Sequence, residues 1–483
     1  MAPKFPAIVL EPAEQAVVQP KRRYGVNSEY VRFADGVTPS EQYLTALCDR
    51  TFLSLWSYPN VYRASEKEIC DLLVVFQEHV IIFSDKHCEF PNSGNLDQDW
   101  ARWYRRAIEK SAKQLWGAER WIRSYPDRVF LDSKCTKRFP LRFNSIADVK
   151  FHRILIAHGA SARCRQELGG SGSLMVSSRI IRNDHVLGRE AGGIPFMVGQ
   201  VDLAKGHIHV LDDMTLDVLL RTLDTVADFT AYLTKKEQFI QSGRSLAAAG
   251  EEELLAYYLT HVNTDGEHDF VFDSQYNAIT LDEGFWRDFI DSPERQRQLV
   301  ANRGSYVWDH LIERFTQNFL LGTSHFISDT SLASHEKILR FFAREPRTRR
   351  RMLMLALMGM IQNTQPNWRR IQVRMPSRPG DPHFVFLILP KPENRSYDEY
   401  RDVRMRHLEI CCQVVKLDFP DALDIVGFAT ETSATDGRSE DAAYFDARLW
   451  TEELAATARH DKETLGILTR PNWFEGVERD YPV

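Results

Sequence analysis

Two short apolar runs, separated by only three residues, constrain the fold of this 483-residue chain more than any other feature. The runs are CDLLVVF at 70–76 and VIIF at 80–83, with Gln-Glu-His between them. Runs of this length, rich in β-branched residues and joined by a short link, are typical of adjacent strands in a hairpin. A helix is expected on each side, because Thr38 followed by Pro-Ser-Glu is an N-cap signal and an amphipathic pattern covers 99–122. This order predicts an α/β core at 37–147.

Charged and polar residues occupy the ends of the two predicted strands. Asp71 opens the first strand with Glu68 just before it, and Ser84, Asp85 and Lys86 close the second. Because side chains alternate between the two faces of a strand, Ser84 and Lys86 should share one face while Asp85 points to the other. Hydrolysis of a phosphodiester with Mg²⁺ needs oxygen ligands that converge from adjacent strands and a cation near the attacking water. The segment offers such a set of groups.

The segment E-x-x-D-LLVVF-x₃-VIIF-S-D-K resembles the PD-(D/E)XK nuclease superfamily over about residues 40–125. In that superfamily an acid opens one strand, an acid-x-Lys triplet lies on the next, and a helix lies on each side. The resemblance implies a restriction-endonuclease-like α/β core, Mg²⁺ or Mn²⁺ as the cofactor and nucleic acid as the substrate. It also implies that Asp71 and Glu68 bind the metal and that Lys86 positions or polarises the attacking water.

The chain departs from that pattern at Ser84, where the superfamily usually has Glu or Asp. Either Asp85 supplies the missing carboxylate, or an acid at the start of the following helix does, where Asp97 and Asp99 stand. Some restriction enzymes of this superfamily carry Ser-x-Lys and take the replacement acid from that helix. Gln114 resembles the Lys or Gln that many of these nucleases place after the catalytic strand. The candidate metal ligands are Asp71, Asp85, Asp99 and Glu68, and the candidate catalytic residues are Asp71, Lys86, Asp85, Glu68 and Gln114.

The rest of the chain predicts further α/β structure. Strand candidates between 152 and 211 indicate a sheet extension or a small second domain, and helical periodicity follows. RRIQVRM and HFVFLIL flank a PGDP turn, and a helix from Tyr397 and the strand DIVGFAT follow them. We therefore expect a multidomain protein of α/β and α+β class. Its predicted parts are an N-terminal extension (1–36), the nuclease-like core (37–147), a sheet extension with a helical middle (148–330) and a C-terminal α+β unit (331–483).

The charge balance limits how the chain can meet nucleic acid. A net charge of −6 and a pI near 6.2 argue against attraction of nucleic acid by the overall charge of the protein. Contacts with nucleic acid must therefore use local basic patches. Arginine-rich stretches at 101–110, 344–352 and 367–378 are candidates, although a solvated helix face explains each of them alone. An alternative places function in the C-terminal unit, where arginines offer an anion site. These are Arg369, Arg370, Arg374 and Arg378.

Other side chains give weaker indications of chemistry. His152, His158 and Cys164 lie in one region, but no motif orders them into a thiol hydrolase. In HVLDD, which contains His209, the two acids precede a helical pattern and are interpreted as caps.

The seven cysteines include no CxxC pair, which indicates neither a disulfide framework nor a zinc site and fits a cytoplasmic location. Met352–Ile361 is about half the roughly 20 residues that cross a bilayer, so a buried core helix and no membrane partner are expected.

Taken together, the residues and the resemblance predict a Mg²⁺-dependent endonuclease, a hydrolase that acts on DNA rather than RNA. Superfamily members with large extensions often serve antiviral defence in bacteria, so the resemblance implies that role. The alternative is an inactive nuclease-like subunit that binds or scaffolds, which Ser84 favours. A protein partner or a homo-oligomer is compatible with either prediction.

Overall fold

A computed structural model describes residues 36, 38–143, 146–271, 276–325, 331–432, 439–472 and 479–481. The predicted N-terminal extension lies outside these residues, apart from Gly36. The strands are β1 (Ser57–Ala64), β2 (Lys67–Phe76), β3 (His79–His87), β4 (Lys150–His158), β5 (Met175–Ile181), β6 (Met197–Gln200), β7 (Ile208–Leu211), β8 (Ser245–Ala248), β9 (Ala278–Leu281), β10 (Arg370–Arg374), β11 (His383–Ile388), β12 (Asp424–Thr430) and β13 (Asp441–Asp446). The α-helices are α1 (Pro39–Phe52), α2 (Leu96–Tyr104), α3 (Lys110–Ser124), α4 (Ser161–Leu168), α5 (Thr215–Thr222), α6 (Val226–Gln241), α7 (Glu251–Thr260), α8 (Phe285–Asp291), α9 (Pro293–Asn302), α10 (Tyr306–Leu320), α11 (Leu332–Ala343), α12 (Arg347–Asn363), α13 (Tyr397–Asp418) and α14 (Glu452–Leu465).

A five-stranded mixed sheet in the order β1-β2-β3-β4-β7 forms the first part of the molecule. The predicted hairpin is confirmed, since β2 and β3 pair antiparallel with Leu72 opposite Phe83. From β3 onward the strands run parallel, through β4 to β7. Because β4 and β7 lie beyond residue 147, the following part of the chain extends the sheet, which is one of the two alternatives that the sequence left open.

Both faces of this sheet are buried, which explains the nearly continuous apolar runs of its central strands. One face packs against α1, α5 and α6, and the other packs against α2 and α3. The first face includes Leu72, Val74, Phe83, Ile154, Phe52 and Phe229. The second includes Leu73, Val75, Ile82, Leu155, Trp103 and Leu115. Residues that alternate along one strand therefore face different helices.

The first helix begins where the sequence indicates. The Thr38 hydroxyl accepts a hydrogen bond from the Glu41 N–H and the Glu41 carboxylate accepts one from the Thr38 N–H, so a capping box fixes this end. From the sequence we expect this helix to run to about Trp56 and to be ended by Tyr58-Pro59, but it ends at Phe52. Residues Ser57–Ala64 instead form strand β1, which was not predicted. Since β1 is an edge strand of the sheet, the missing N–H of Pro59 is tolerated there.

The amphipathic helix predicted after β3 forms as two helices with a change of winding between them. Arg105–Glu109 is a π-helical turn between α2 and α3. Inserted turns of this kind are often found at functional sites, because they change which residues face the core.

Two further mixed sheets lie later in the chain, in the orders β6-β5-β8-β9 and β10-β11-β12-β13. The hairpin of β10 and β11 and the helix α13 are confirmed. The acidic sequence ATDGRSEDAAYFD at 434–446 is expected to be a solvated connection, but Asp441–Asp446 forms β13. Asp441 is buried and pairs with the buried Arg404. The described chain is thus a mixed α/β protein with three mixed sheets.

The apolar run Met352–Ile361 lies in α12, and most of its large side chains are buried. The prediction of a core helix is confirmed. In the described part of the chain, no helix has the length and apolar character needed to cross a membrane.

Candidate active site at one end of the five-stranded sheet

Pairing of β2 with β3 brings the predicted polar residues together. Leu72 lies opposite Phe83 in this antiparallel pair. Asp71, one residue before Leu72, therefore lies beside Ser84, one residue after Phe83. By the alternation of side chains, Asp71, Ser84 and Lys86 point to the face that α3 covers. The sequence predicted this arrangement for Ser84 and Lys86.

A cavity of about 380 Å³ lies between these strand ends and α3. Its charged lining combines the carboxylates of Glu68 and Asp71 with the cations of Arg63, Lys86 and Lys113. The other lining residues are Ile69, Cys70, Ser84, Asp85, Gln114, Leu115, Gly117, Ala118 and Trp121. Acids and cations thus face the same space, as a site for a metal ion and a phosphate requires.

Asp71 is half-buried, whereas Glu68, the other acid whose carboxylate faces the cavity, is exposed. The Oδ2 of Asp71 accepts a hydrogen bond of 2.5 Å from the Asp85 N–H. Burial raises the pKa of Asp71 to about 7, although that hydrogen bond opposes the shift, and the nearby charge of Glu68 adds to it. Asp71 is thus held by burial in an environment that a cation would make more favourable for its ionised form.

Lys86 and Glu68 complete the set that the sequence predicted. Lys86 is half-buried, and it has no hydrogen bond or ion pair with any residue that the structure describes. Glu68 is exposed, and its Oε1 accepts a hydrogen bond of 2.7 Å from Asn60 Nδ2. The ammonium group of Lys86 is therefore available to a ligand in the cavity.

Asp85 turns its carboxylate to the opposite face of the sheet. The side chain is 4% exposed, and its Oδ1 lies 2.6 Å from His158 Nε2. Its Oδ2 also accepts a hydrogen bond from Ser40 in α1. Asp85 thus contributes its N–H to Asp71, while its carboxylate is held by His158 and Ser40. The structure does not bring this carboxylate to the position that Ser84 leaves without an acid.

Ser40, His158 and Asp213 have the spacing of a nucleophile, a base and an orienting acid. His158 Nδ1 lies 2.5 Å from Asp213 Oδ1, and its Nε2 lies 3.5 Å from Ser40 Oγ. Burial disfavours the charged imidazole, but hydrogen bonds to Asp213 and then to Asp85 outweigh it and raise the pKa of His158 to about 9. A histidine that is already protonated cannot take a proton from Ser40, so this arrangement does not favour acyl transfer.

The acids at the start of α2 serve the surrounding loops. Asp99 is buried, and its carboxylate accepts hydrogen bonds from the Ser93 N–H at 2.8 Å and the Ser93 Oγ at 2.7 Å. Asp97 pairs with Arg189 at 2.8 Å. Neither acid lines the cavity, so the structure does not place the predicted replacement ligand Asp99 beside Asp71.

Two residues of α3 do reach the cavity. Lys113 and Gln114 are exposed and line it, and Lys113 also pairs with Glu109 at 2.7 Å. Arg63 lies on β1, and its guanidinium stacks over Trp121 at 5.5 Å from the ring centroid. Arg63 was not among the predicted site residues, because β1 was not predicted.

The arginine-rich stretches have different environments from those predicted. Arg347 and Arg350 are buried, pairing with Asp224 at 2.8 Å and Asp309 at 2.6 Å respectively, so the prediction of a solvated face was wrong here. In 101–110 the aromatic side chains Trp103 and Tyr104 are buried and do not offer surfaces for base stacking. Three of the four C-terminal arginines, Arg369, Arg370 and Arg374, line a separate cavity of about 800 Å³, whereas Arg378 pairs with Glu267.

Comparison of the chain with protein-family models, with curated proteins and with solved structures finds no match. Its function must be inferred from the geometry of its own residues.

Proposed function

We propose that this protein is a metal-dependent nuclease whose active site is the cavity between β2, β3 and α3. The observation that carries this proposal is the position of Asp71 and Lys86. They come from neighbouring strands and line one cavity, and Asp71 has a raised pKa while Lys86 has no ion pair among the described residues. The order of helix, three antiparallel strands, helix and parallel strand supports the resemblance to the PD-(D/E)XK superfamily.

The lining residues fit a hard cation such as Mg²⁺ or Mn²⁺. Mg²⁺ is commonly held by one or two carboxylates, while water and substrate phosphate complete its shell. Asp71 and Glu68 supply two carboxylates on one wall of the cavity. When bound, such a metal lowers the pKa of water and polarises the phosphoryl oxygens.

The cationic residues have distinct tasks in this proposal. Lys86 holds the attacking water and stabilises the negative charge that develops on the phosphorus substituents. Arg63, Lys113 and Gln114 lie further along the lining and donate hydrogen bonds to the phosphates that flank the scissile bond. Nucleic acid is the substrate that presents such a row of phosphates, and we propose DNA in particular.

A second candidate function, an inactive nucleic-acid-binding subunit, is favoured by one observation. Ser84 lacks the carboxylate of the superfamily pattern, and Asp85 and Asp99 are both held elsewhere. The cavity would then keep its phosphate-binding cations without a complete metal site.

Cleavage assays distinguish the two functions. Purified protein is incubated with single- and double-stranded DNA and RNA in Mg²⁺ or Mn²⁺, beside Asp71→Asn and Lys86→Met. The matched control is Lys67→Met, which removes an exposed lysine of β2 that does not line the cavity. Metal-dependent cleavage that both site variants lose and the control retains supports the nuclease.

The other outcomes have equally definite meanings. Cleavage that survives in both site variants overturns the assignment to this cavity. Binding without cleavage of any substrate, weakened by Lys86→Met but not by Lys67→Met, supports the inactive binding subunit.

A further inference from the structure

A second group of chemically reactive side chains lies away from the cavity and comes from three elements. His152 is on β4, His209 on β7 and Glu237 on α6. The carboxylate Oε1 of Glu237 lies 2.9 Å from His209 Nε2 and 3.4 Å from His152 Nδ1. One donor atom from each residue lies within 4.8 Å of the other two.

These separations fit the donor atoms of a tetrahedral metal centre. With metal–ligand bonds of about 2.0–2.1 Å, neighbouring donor atoms in a Zn²⁺ tetrahedron lie about 3.3 Å apart. The two distances to Glu237 are on either side of that value. The two nitrogens and the oxygen all lie within 4.8 Å of one another, so adjustment of the three side chains would bring them into one coordination shell.

The surrounding contacts supply the outer partners that a bound metal would require. His152 Nε2 lies 2.9 Å from His79 Nδ1, and His79 Nε2 lies 3.6 Å from Glu78 Oε1. If His152 Nδ1 donated to Glu237, the neutral tautomers would place a His79 lone pair against the Glu78 carboxylate. If His152 Nδ1 binds a metal, its Nε2–H donates to His79 and the His79 Nε2–H points at Glu78. Such outer partners are typical of metal-binding histidines.

Burial and ligand type restrict which metal the group can hold. His152 and His209 are 2% and 1% exposed, and His209 Nδ1 has no hydrogen-bond partner in the described chain. Two imidazoles with one carboxylate suit Zn²⁺ and its first-row neighbours better than Mg²⁺ or Ca²⁺. Because both imidazoles are buried within the sheet, these residues indicate a structural role.

We infer that His152, His209 and Glu237 form a structural site for a divalent first-row transition metal, Zn²⁺ foremost, which ties α6 to strands β4 and β7. Water or the second carboxylate oxygen would fill the remaining position. This site is distinct from the proposed nuclease cavity, and either one can exist without the other.

The test is metal binding by the full-length chain. The protein is stripped with a chelator, titrated with Zn²⁺ against a competing chromophoric chelator, and substituted with Co²⁺ for absorption spectroscopy. We expect one Zn²⁺ per chain and the intense visible bands of tetrahedral Co²⁺. Glu237→Gln keeps the size and hydrogen-bonding reach of the side chain, and should weaken Zn²⁺ binding at least 100-fold.

Two control variants make the result specific. His383→Gln changes another buried histidine on a strand, β11, whose Nδ1 also lacks a hydrogen-bond partner, and should bind Zn²⁺ like the parent. Asp71→Asn should also bind Zn²⁺ unchanged, which separates this site from the nuclease cavity.

The inference is overturned if the stripped parent chain takes up no Zn²⁺ at micromolar concentrations, or if Glu237→Gln binds it as tightly as the parent. Should Glu237→Gln fail to fold, His79→Gln replaces it in the test. That variant removes only the outer partner of His152, and should weaken Zn²⁺ binding about 10- to 100-fold. Unchanged affinity in a folded His79→Gln variant contradicts the hydrogen-bond argument and overturns the inference.

Discussion

The two ends of the five-stranded sheet place polar residues in different surroundings, although strand β3 reaches both of them. The strand β3 begins at His79, beside the histidine cluster, and runs to Lys86, in the cavity. At the cavity end, Lys86 lacks an ion pair within the described chain and Asp71 has a raised pKa. At the cluster end, the imidazoles are buried and face one carboxylate. Exposed and half-buried groups that line a cavity favour an exchanging ligand, whereas buried groups that face one another favour a permanently bound one.

The largest expected effect is on metal-dependent cleavage, which should depend on the cavity end of the sheet and not on the end with the histidine cluster. Asp71→Asn should lower metal-dependent cleavage about 100- to 1,000-fold, because it removes a charge at the reacting centre. Glu237→Gln should change the cleavage rate of the folded protein less than twofold. Initial rates measured well below the melting temperature check both values. A large loss of activity in Glu237→Gln, with its melting temperature unchanged, would break the division of tasks between the ends.

The pH dependence of stability should report the contacts that hold Asp85 away from the cavity. The folded-state pKa of His158 is about 9, above the ordinary 6.5, so its contribution is fully present below pH 6.5 and is lost as the pH rises through 9. The groups that face it are Asp85, Asp213, Ser40 and the exposed His87, whose ring lies 6.0 Å away.

The variant His158→Gln should therefore lose about 2 to 3 kcal/mol relative to the parent at pH 6, and much less at pH 9.5. Urea unfolding at both values measures the difference, and His87→Gln is the matched control. Equal losses at the two pH values would mean that Asp85 is not held by a charged histidine.

Metal removal should destabilise the chain chiefly through the histidine cluster. Stripping Zn²⁺ should lower the free energy of unfolding by about 2 kcal/mol and the melting temperature by about 2 °C, because a ligand that binds only the folded state stabilises it. Withdrawal of Mg²⁺ should lower the melting temperature by less, because a weakly held, exchanging ion stabilises the folded state by a smaller amount. Thermal scans of the parent and of Glu237→Gln test this, since the variant should not respond to Zn²⁺. A fall on loss of Mg²⁺ that equals or exceeds the fall on loss of Zn²⁺ would contradict the contrast between the ends.

The smallest expected effect concerns the edge of the cavity. Lys113→Ala with Gln114→Ala should raise KM for nucleic acid about three- to fivefold and leave kcat unchanged, since exposed phosphate contacts contribute modestly to binding. The slope of log KM against log salt should also become shallower. Lys110→Ala, on the same helix and outside the cavity lining, is the control. A fall in kcat instead would place α3 closer to the reacting phosphate.

Local sequence determined the elements that carry the candidate site. The hairpin of β2 and β3 follows from two β-branched runs with a short link, and the capping box at Thr38 fixes the start of α1. The alternation along β3 places Ser84 and Lys86 on one face and Asp85 on the other. These features depend on residues within a few positions of one another, so their spacing in the sequence is enough to predict them.

Tertiary structure alone decided which of these groups remain available. Asp85 is held by His158 and Asp99 by Ser93, although the sequence offered both acids as metal ligands. The convergence of His152, His209 and Glu237 has no sequence signal, because no fixed spacing relates two strands and a helix that meet only after folding. Spacing determines the direction of a side chain within its element, but its partner depends on how distant elements pack.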